Sequence, residues 1–415
     1  MKKYKRNAGF NLFALKSIME CKGTFRVGII DADLLDHGTR HPNLALLKIS
    51  GFCKEKGCEV RLICDYDEIQ PTQFFGKKTL KEYNLLVMSK VFKFTKIPPF
   101  VEDMIAEGYI MYGGTGFYEI GEEVPQLPYT VEHHMPDYHL YDEYIEKATG
   151  GDPNLKKKHF DDYLNYSIGF ATRGCIRHCE FCVNRLSNGV KKHSPIAEFL
   201  DPERPNIYLW DDNIMAAGQL FYQIMDELKQ TGKAFQFRQG MDMRLMTAKK
   251  AQCLNDAKHH GDYIFAFDHI EDSALIQKKL TIWRENCKKS TKLYVLCGFD
   301  SQDEKDIENT FERIRILMTF GCLPYIMRHE YYLRSDFRQL YVQIARWCNQ
   351  PGFFKKKSFR QYCEANEEYH QAGGHKDHHC GCYQCMLDFE AQFPEIAKKY
   401  FDLRYEDINP YKIKP

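Results

Sequence analysis

Cys175, Cys179 and Cys182 stand in the run GFATRGCIRHCEFCVN, residues 169–184, as a CxxxCxxC triplet with Phe181 just before the last cysteine. Thiolates are the usual ligands of iron–sulfur clusters. Three thiolates this close can hold three irons of a [4Fe-4S] cluster. The fourth iron then lacks a protein ligand and is open to a reactive molecule, which points to an enzyme rather than a plain electron carrier. Zinc is the alternative, but it usually takes four protein ligands. His178 as the fourth would adjoin Cys179 in the chain and strain a tetrahedron. Gly174 would let the backbone turn tightly into the loop, and Phe181 would shield one side of the cluster.

A second dense run lies near the C-terminus, His375-Lys376-Asp377-His378-His379-Cys380-Gly381-Cys382-Tyr383-Gln384-Cys385. Cys380, Cys382 and Cys385 offer three ligands, with Cys363 or Cys348 as a fourth, or with an open position that touches substrate. Three readings stay open: an auxiliary iron–sulfur cluster, a zinc site helped by the crowded histidines, or unmetallated or disulfide-bonded cysteines.

Composition bounds the rest. The chain has 415 residues with 58 Lys+Arg against 57 Asp+Glu, a formal net charge of +1. That is not the signature of a polyanion binder, so RNA or DNA is a weak expectation. No apolar stretch approaches the roughly 20 residues that span a bilayer, so no membrane partner is expected. The start, MKKYKRNAGFNLFALKSIMECKG, has a broken, polar centre unlike a signal peptide. Sixteen cysteines, six of them in two dense clusters of a long chain, suggest metal sites in a reducing, cytoplasmic compartment.

These residues need elements to position them. The first 150 residues alternate strand and helix: strands at 25–30, 59–63, 83–88 and 109–112, with a helix at 43–56. This predicts a parallel sheet with helices on its faces. Gly113, Gly114 and Gly116 follow a strand end, as a ligand loop or a tight turn. The proline-containing stretch from Glu122 to Phe160 reads as an irregular connector, with Lys156 to Lys158 as a solvated face. Residues 151–333 then repeat strand and helix six times, with strands at 166–171, 207–210, 235–238, 263–267, 293–297 and 323–327, as in a partial (β/α) barrel. Barrel chemistry lies at the C-terminal strand ends. Those ends carry Asp211, Asp212 and Asn213; Arg238, Gln239 and Asp242; Asp268 and His269; Gly298; and Arg328. The bland readings are a helix N-cap for Asp212 or Asn213, an ion pair for Arg244, and an internal salt bridge near Arg328. Cys297 reads as a buried small hydrophobe. Residues 334–415 form a small, mainly helical cysteine-rich region, with Ser335 as a helix N-cap. The fold class is therefore α/β, a flavodoxin-like or Rossmann-like domain ahead of a partial barrel.

The loop Thr172-Arg173-Gly174-Cys175-Ile176-Arg177-His178-Cys179-Glu180-Phe181-Cys182 resembles the cluster loop of radical SAM enzymes. The first domain resembles the cobalamin-binding module that precedes it in many B12-type members, through Arg40-His41-Pro42-Asn43, Gly57-Cys58-Glu59-Val60 and Gly113-Gly114. The cobalt-ligating D-x-H-x-x-G motif is not matched by Asp36-His37-Gly38-Thr39-Arg40-His41, so cobalamin stays open. The resemblance implies that S-adenosylmethionine (SAM) binds the open iron and is cleaved reductively to methionine and a 5'-deoxyadenosyl radical. It implies cofactor contacts from Asp211, Asp212, Asn213, Arg238, Gln239, Asp242 and the turn at Gly298. Asp268 would meet ribose hydroxyls or substrate, His269 would act as acid or base, and Arg328 would face a polar substrate. An electron donor such as flavodoxin or ferredoxin is implied, and the substrate is a small molecule, a peptide or a nucleobase. Oxidoreductase or transferase chemistry, including cobalamin-dependent methyl transfer, fits this resemblance. An iron–sulfur electron-transfer protein or a zinc-stabilised binding module is the non-enzyme alternative.

Overall fold

The structure is a computed structural model that describes residues 8–20, 24–70, 72–74, 77–79, 82–119 and 122–411. Parts of the N-terminal stretch discussed above, 1–7 and 21–23, lie outside the described residues. Contacts divide the chain into two compact units: Met1–Ala171 with Cys182–Leu186 and His193–Tyr208, and Thr172–Phe181 with Ser187–Lys192 and Leu209–Pro415.

The first unit is built on β1 (Arg26–Asp31), whose last five residues are buried, as expected of a parallel strand covered on both faces. Helix α1 (Ala32–His37) follows directly, and α2 (Leu44–Glu55) begins at Asn43, whose side chain accepts the Leu46 N–H at 3.3 Å. Then come β2 (Glu59–Leu62), β3 (Leu85–Ser89), α3 (Pro99–Glu107) and β4 (Ile110–Gly113). The sheet order is β2-β1-β3-β4. All pairs are parallel, with Val27 opposite both Val60 and Leu85. This is the flavodoxin-like order, with its topological switch point between β1 and β3. Successive strand residues face opposite sides. Val27 and Ile29 join Leu46, Leu47 and Phe52 in one core, while Ile30, Leu86 and Met88 join Met104 and Ile105 in the other.

The stretch 122–160 is not an irregular connector. It holds helices Tyr129–Glu132, Asp142–Thr149 and α4 (Pro153–Asn165). Two of the prolines that suggested a loop start helices: Pro128 precedes Tyr129–Glu132, and Pro153 sits in the first turn of α4, behind an Asp152 cap. Lys157 and Lys158 are exposed, and Lys156 pairs with Glu146. Two further strands, β5 (Tyr166–Gly169) and β6 (Asn206–Leu209), lie side by side.

The second unit continues the alternation through α5 (Gln219–Thr231), β7 (Ala234–Phe237), β8 (Met241–Asp242), α6 (Ala248–Asp256), β9 (Tyr263–Ala266), α7 (Ser273–Asn286), β10 (Thr291–Cys297), α8 (Glu304–Thr319) and β11 (Leu323–Arg328). Strands β8 to β11 form a parallel sheet in chain order, with Phe265 opposite Leu293 and Cys297 opposite Arg328. In α8, Ile307, Phe311, Ile314 and Leu317 are buried, a spacing that makes one helical face.

Helices α9 (Arg338–Cys348), α10 (Phe359–Ala372), α11 (Gly381–Gln392) and α12 (Pro394–Tyr400) complete the unit. Ser358 opens α10 with a full capping box. Ser335, expected to cap α9, sits two residues too early, because Phe337 occupies the N-cap. Its hydroxyl donates to the Gln302 carbonyl at 2.5 Å and accepts the Phe337 N–H at 3.0 Å, tying a loop rather than a helix end.

Candidate functional site

The cysteine loop is fixed where it leaves its strand. The Thr172 N–H and hydroxyl both donate to Asp211 Oδ1 at 2.5 Å, and the Gly174 N–H donates to Asp212 Oδ2 at 2.7 Å. Asp211 and Asp212 therefore serve the loop backbone. The Cys175 N–H donates to Ser187 Oγ at 3.0 Å, and the Gly189 N–H returns to the Cys175 carbonyl at 3.1 Å. Gly174 has φ +98°, and a Cβ there would stand 2.2 Å from the Gly189 carbonyl oxygen, so only glycine fits this crossing.

The sulfurs are prepared as acceptors. The Arg177 N–H points at Cys175 Sγ at 3.3 Å, the Asn184 N–H at Cys182 Sγ at 3.4 Å, and Asn213 Nδ2 at Cys175 Sγ at 3.2 Å. Such N–H donors stabilise thiolates and tune a cluster's potential. Asn213 is buried, and its Oδ1 has no hydrogen-bond partner. A buried orphan acceptor costs free energy until a ligand meets it. Asn213 precedes a short 3-10 turn without capping it. Among the described residues no group of three or more His, Cys, Asp or Glu already stands as a metal site. The donor set nonetheless fits an iron–sulfur group, with three thiols on one short loop and N–H groups on two of their sulfurs.

Phe181 leads from this loop to the strand ends. Its ring lies 5.9 Å from His269, just past β9, and 5.4 Å edge-on from Phe299, just past β10. Phe299 in turn meets His329 at 4.8 Å and stacks on Tyr331 at 6.1 Å, both just past β11. His269 Nδ1 is held by Asp300 Oδ2 at 3.0 Å. The Asp268 carboxyl is pushed up to about 6 by burial, against the pull of Arg313, His269 and Arg244. Gly298 has φ +71° and packs on Tyr332, while its N–H donates to Asp306 at 2.7 Å. Arg328 is exposed, hydrogen-bonded to the Tyr332 hydroxyl at 3.1 Å. Burial pushes the Cys297 thiol up to about 12, as suits an inert core residue.

Asp242 is a structural bridge. It accepts from Arg177 of the cysteine loop at 3.0 Å and from Arg244 at 2.8 Å, and Arg244 also reaches Asp272 at 2.9 Å. Burial works to raise the Asp242 pKa, but the two arginines outweigh it and hold the carboxyl below its ordinary value. Arg238 follows β7, with its N–H on the Leu209 carbonyl at 2.9 Å, and Gln239 is exposed beside it. Sequence reasoning missed Ser187, and it left Phe299, Asp300 and Tyr331 in the strand-end runs Cys297-Gly298-Phe299-Asp300 and Arg328-His329-Glu330-Tyr331 without roles of their own. The Ser187-Asn188-Gly189 turn signal, and aromatics recurring just past strand ends, would have found Ser187, Phe299 and Tyr331.

In the second cysteine run, Cys380 is the N-cap of α11, Cys382 and Cys385 lie on that helix, and Cys363 lies on α10. Cys363 Sγ is 3.5 Å from Cys382 Sγ, whereas Cys348 is buried on α9. All described cysteines are free thiols.

No family model matches the chain, and no curated protein does. Among solved structures it is similar to the radical S-adenosylmethionine methyltransferase TsrM from Kitasatospora setae with cobalamin and a [4Fe-4S] cluster bound, at 12% identity and TM-score 0.46 over 74% of this chain and 75% of that one. A second TsrM structure, with tryptophan substrate and a SAM analogue, gives 11% identity and TM-score 0.47 over 73% of each chain. Likenesses this remote leave the reading of the site to its own residues.

Proposed function

We propose that this chain is a radical SAM enzyme whose cysteine loop, Cys175 to Cys182, holds a [4Fe-4S] cluster. The observation that carries the reading is the seating of Phe181 against His269 and Phe299, beside two of the three cysteines and at the C-terminal ends of a parallel sheet. When bound, the cluster would supply one electron to SAM, releasing methionine and a carbon radical that takes a hydrogen atom from substrate.

The chain's own residues set the stage. Asp211, Asp212 and Ser187 fix the loop backbone, and Asn213 holds one thiolate while offering Oδ1 to the SAM amino group. Arg238, Gln239 and the Gly298 turn offer further polar contacts to the cofactor. Asp268, titrating near 6, and His269, steadied by Asp300, can hold or release a proton for substrate. Arg328 suits an anionic or carbonyl group on a polar metabolite, peptide or nucleobase. A small cytoplasmic electron donor such as flavodoxin or ferredoxin would reduce the cluster. Among the described residues no helix is long and apolar enough to cross a membrane.

Cobalamin-dependent methyl transfer is favoured by one observation in the first unit. Past the C-terminal end of β3, Phe92 and Phe94 are 43% and 68% exposed, stack at 5.1 Å and flank His37. An open aromatic patch on that edge of the sheet suits a broad, partly apolar cofactor. His37 already bonds Thr95 at 3.2 Å and the Gly38 carbonyl at 2.9 Å, so a cobalamin there would rely on packing rather than on a histidine ligand.

The test is anaerobic reconstitution, iron, sulfide and cobalamin analysis, then SAM with a reductant. 5'-Deoxyadenosine formed by the unmodified chain and lost in Cys175→Ala, Cys179→Ala and Cys182→Ala supports the proposal. Absence of both SAM binding and cleavage sinks it. Cobalamin co-purifying with the chain selects methyl transfer.

A further inference from the structure

We propose that Cys363, Cys380, Cys382 and Cys385 bind a single tetrahedral metal ion, zinc in the native chain, that clamps α10 to α11. The site is independent of the cysteine loop, and four observations point to it.

The first is the sulfur spacing. Four Zn–S bonds of about 2.3 Å at tetrahedral angles put any two sulfurs ~3.8 Å apart. Cys363 and Cys382 already stand at 3.5 Å. An iron–sulfur cubane gives each thiolate its own iron, so these two sulfurs would have to separate, and Cys363 is fully buried in mid-helix. The second is placement. Cys382 and Cys385 are three apart on α11 and share a face. Cys380 is the N-cap of the same helix.

The third is the brace on the ligand loop. Glu367, one turn beyond Cys363 on α10, accepts the Cys380 N–H at 2.8 Å through one oxygen and His379 Nδ1 at 2.8 Å through the other. That carboxylate ties the start of α11 to the helix bearing Cys363. The fourth is acceptor preparation. The Tyr383 N–H points at Cys380 Sγ at 3.4 Å, a cap bond that also suits a thiolate there. Cys385 Sγ is turned toward the Cys382 carbonyl at 3.2 Å, so this ligand has to rotate away from that carbonyl to join a shared ion.

The experiment uses the full chain purified anaerobically. X-ray absorption at the zinc edge of the unmodified protein should show a sulfur-only shell at about 2.3 Å. The triple variant Cys175→Ala, Cys179→Ala, Cys182→Ala should lose its iron and sulfide and keep about one zinc per chain, the count of a mononuclear site. Cobalt(II) exchanged for zinc should give the intense near-ultraviolet bands of thiolate ligation, weakened in Cys363→Ser. Iron with sulfide persisting in the triple variant, nitrogen in the zinc shell, a Cys363–Cys382 disulfide, or no metal at all would each overturn the proposal. Because 5'-deoxyadenosine production by the unmodified chain is scored separately, failure here leaves the radical SAM reading standing, and the converse also holds.

Discussion

Replacing Gly174 by alanine isolates the crossing on which the cysteine loop turns. The glycine has φ +98°, where an L-residue pays about 1–2 kcal/mol. The added Cβ would meet the Gly189 carbonyl oxygen at 2.2 Å and Ser187 Oγ at 2.8 Å. The serine can rotate, but the carbonyl is backbone and must move by about 1 Å to reach ordinary contact. Moving it breaks the Gly189 N–H to Cys175 carbonyl bond and strains the Cys175 N–H to Ser187 bond, each worth roughly 1 kcal/mol net. The total is about 3–4 kcal/mol, concentrated in the loop. Gly189→Ala is the control: φ there is +81°, yet a Cβ meets nothing within 4 Å, so only the strain of about 1–2 kcal/mol remains. Iron and sulfide per chain after reconstitution are the assay, with far-ultraviolet melting to confirm the fold. Gly174→Ala should retain a small fraction of wild-type iron and make little 5'-deoxyadenosine, whereas Gly189→Ala should keep most of both. Equal iron in the two variants, or full iron in Gly174→Ala, would refute the reasoning.

Asp242→Asn should cost roughly 2 kcal/mol at neutral pH, since Asp242 bridges Arg177 and Arg244. Its folded pKa is depressed, so its contribution is complete above the ordinary carboxylate pKa and is lost as pH falls through the folded one; denaturant titrations of the two proteins should converge in acid. Asp31 has the opposite sign. Burial lifts it to about 6, so stability is greatest below its ordinary pKa of 3.8 and falls as pH rises through about 6. Asp31→Asn should flatten that fall in melting temperature against pH, and an unchanged profile would contradict it. Cys297→Ala should leave SAM cleavage within about twofold of wild type, a change in ΔG‡ of under 1 kcal/mol, because the thiol is a packed core group. Phe299→Ala should sharply reduce substrate turnover while leaving iron content intact, as read by product formation and iron analysis, because it removes the ring that joins Phe181 to His329 and Tyr331.

The elements of the molecule were largely legible in its sequence. The six strands expected between Tyr166 and Met327 each fall within a few residues of an observed strand, because buried parallel strands leave short continuous hydrophobic segments bounded by turn residues, whereas two-residue strands such as β8 leave no such run. The helix Leu44–Glu55 follows from its apolar positions Leu44, Leu46, Leu47 and Ile49, and the structure adds the caps at Asn43 and, for Phe359–Ala372, Ser358. The stretch 122–160 misled because a proline inside a helix breaks it and a proline in its first turn starts it, and composition alone does not tell the two apart. At the site the cysteines announced themselves, whereas their supports did not. Asp211 and Asp212 lie 39 and 38 positions from the backbone groups they hold, and no local pattern reveals a contact made at that separation. Cys363 and Cys348 were alternatives in sequence for a fourth ligand; the helices that bear them both pack on α11, and it is Cys363 whose Sγ stands 3.5 Å from Cys382 Sγ.

The Asp211-Asp212-Asn213 tripeptide has a consequence for how this kind of chain is traced and rebuilt. Two neighbouring carboxylates grip different backbone groups of the loop, and the next residue grips a sulfur. The three contacts form a fixed phase, and a one-residue insertion or deletion between Leu209 and Asn213 would put every one of them out of step. The cysteine loop and the tripeptide therefore behave as one heritable cassette in two pieces. A graft that moves the loop to a new scaffold without its distant half would transplant the ligands and leave behind the grammar that orders them.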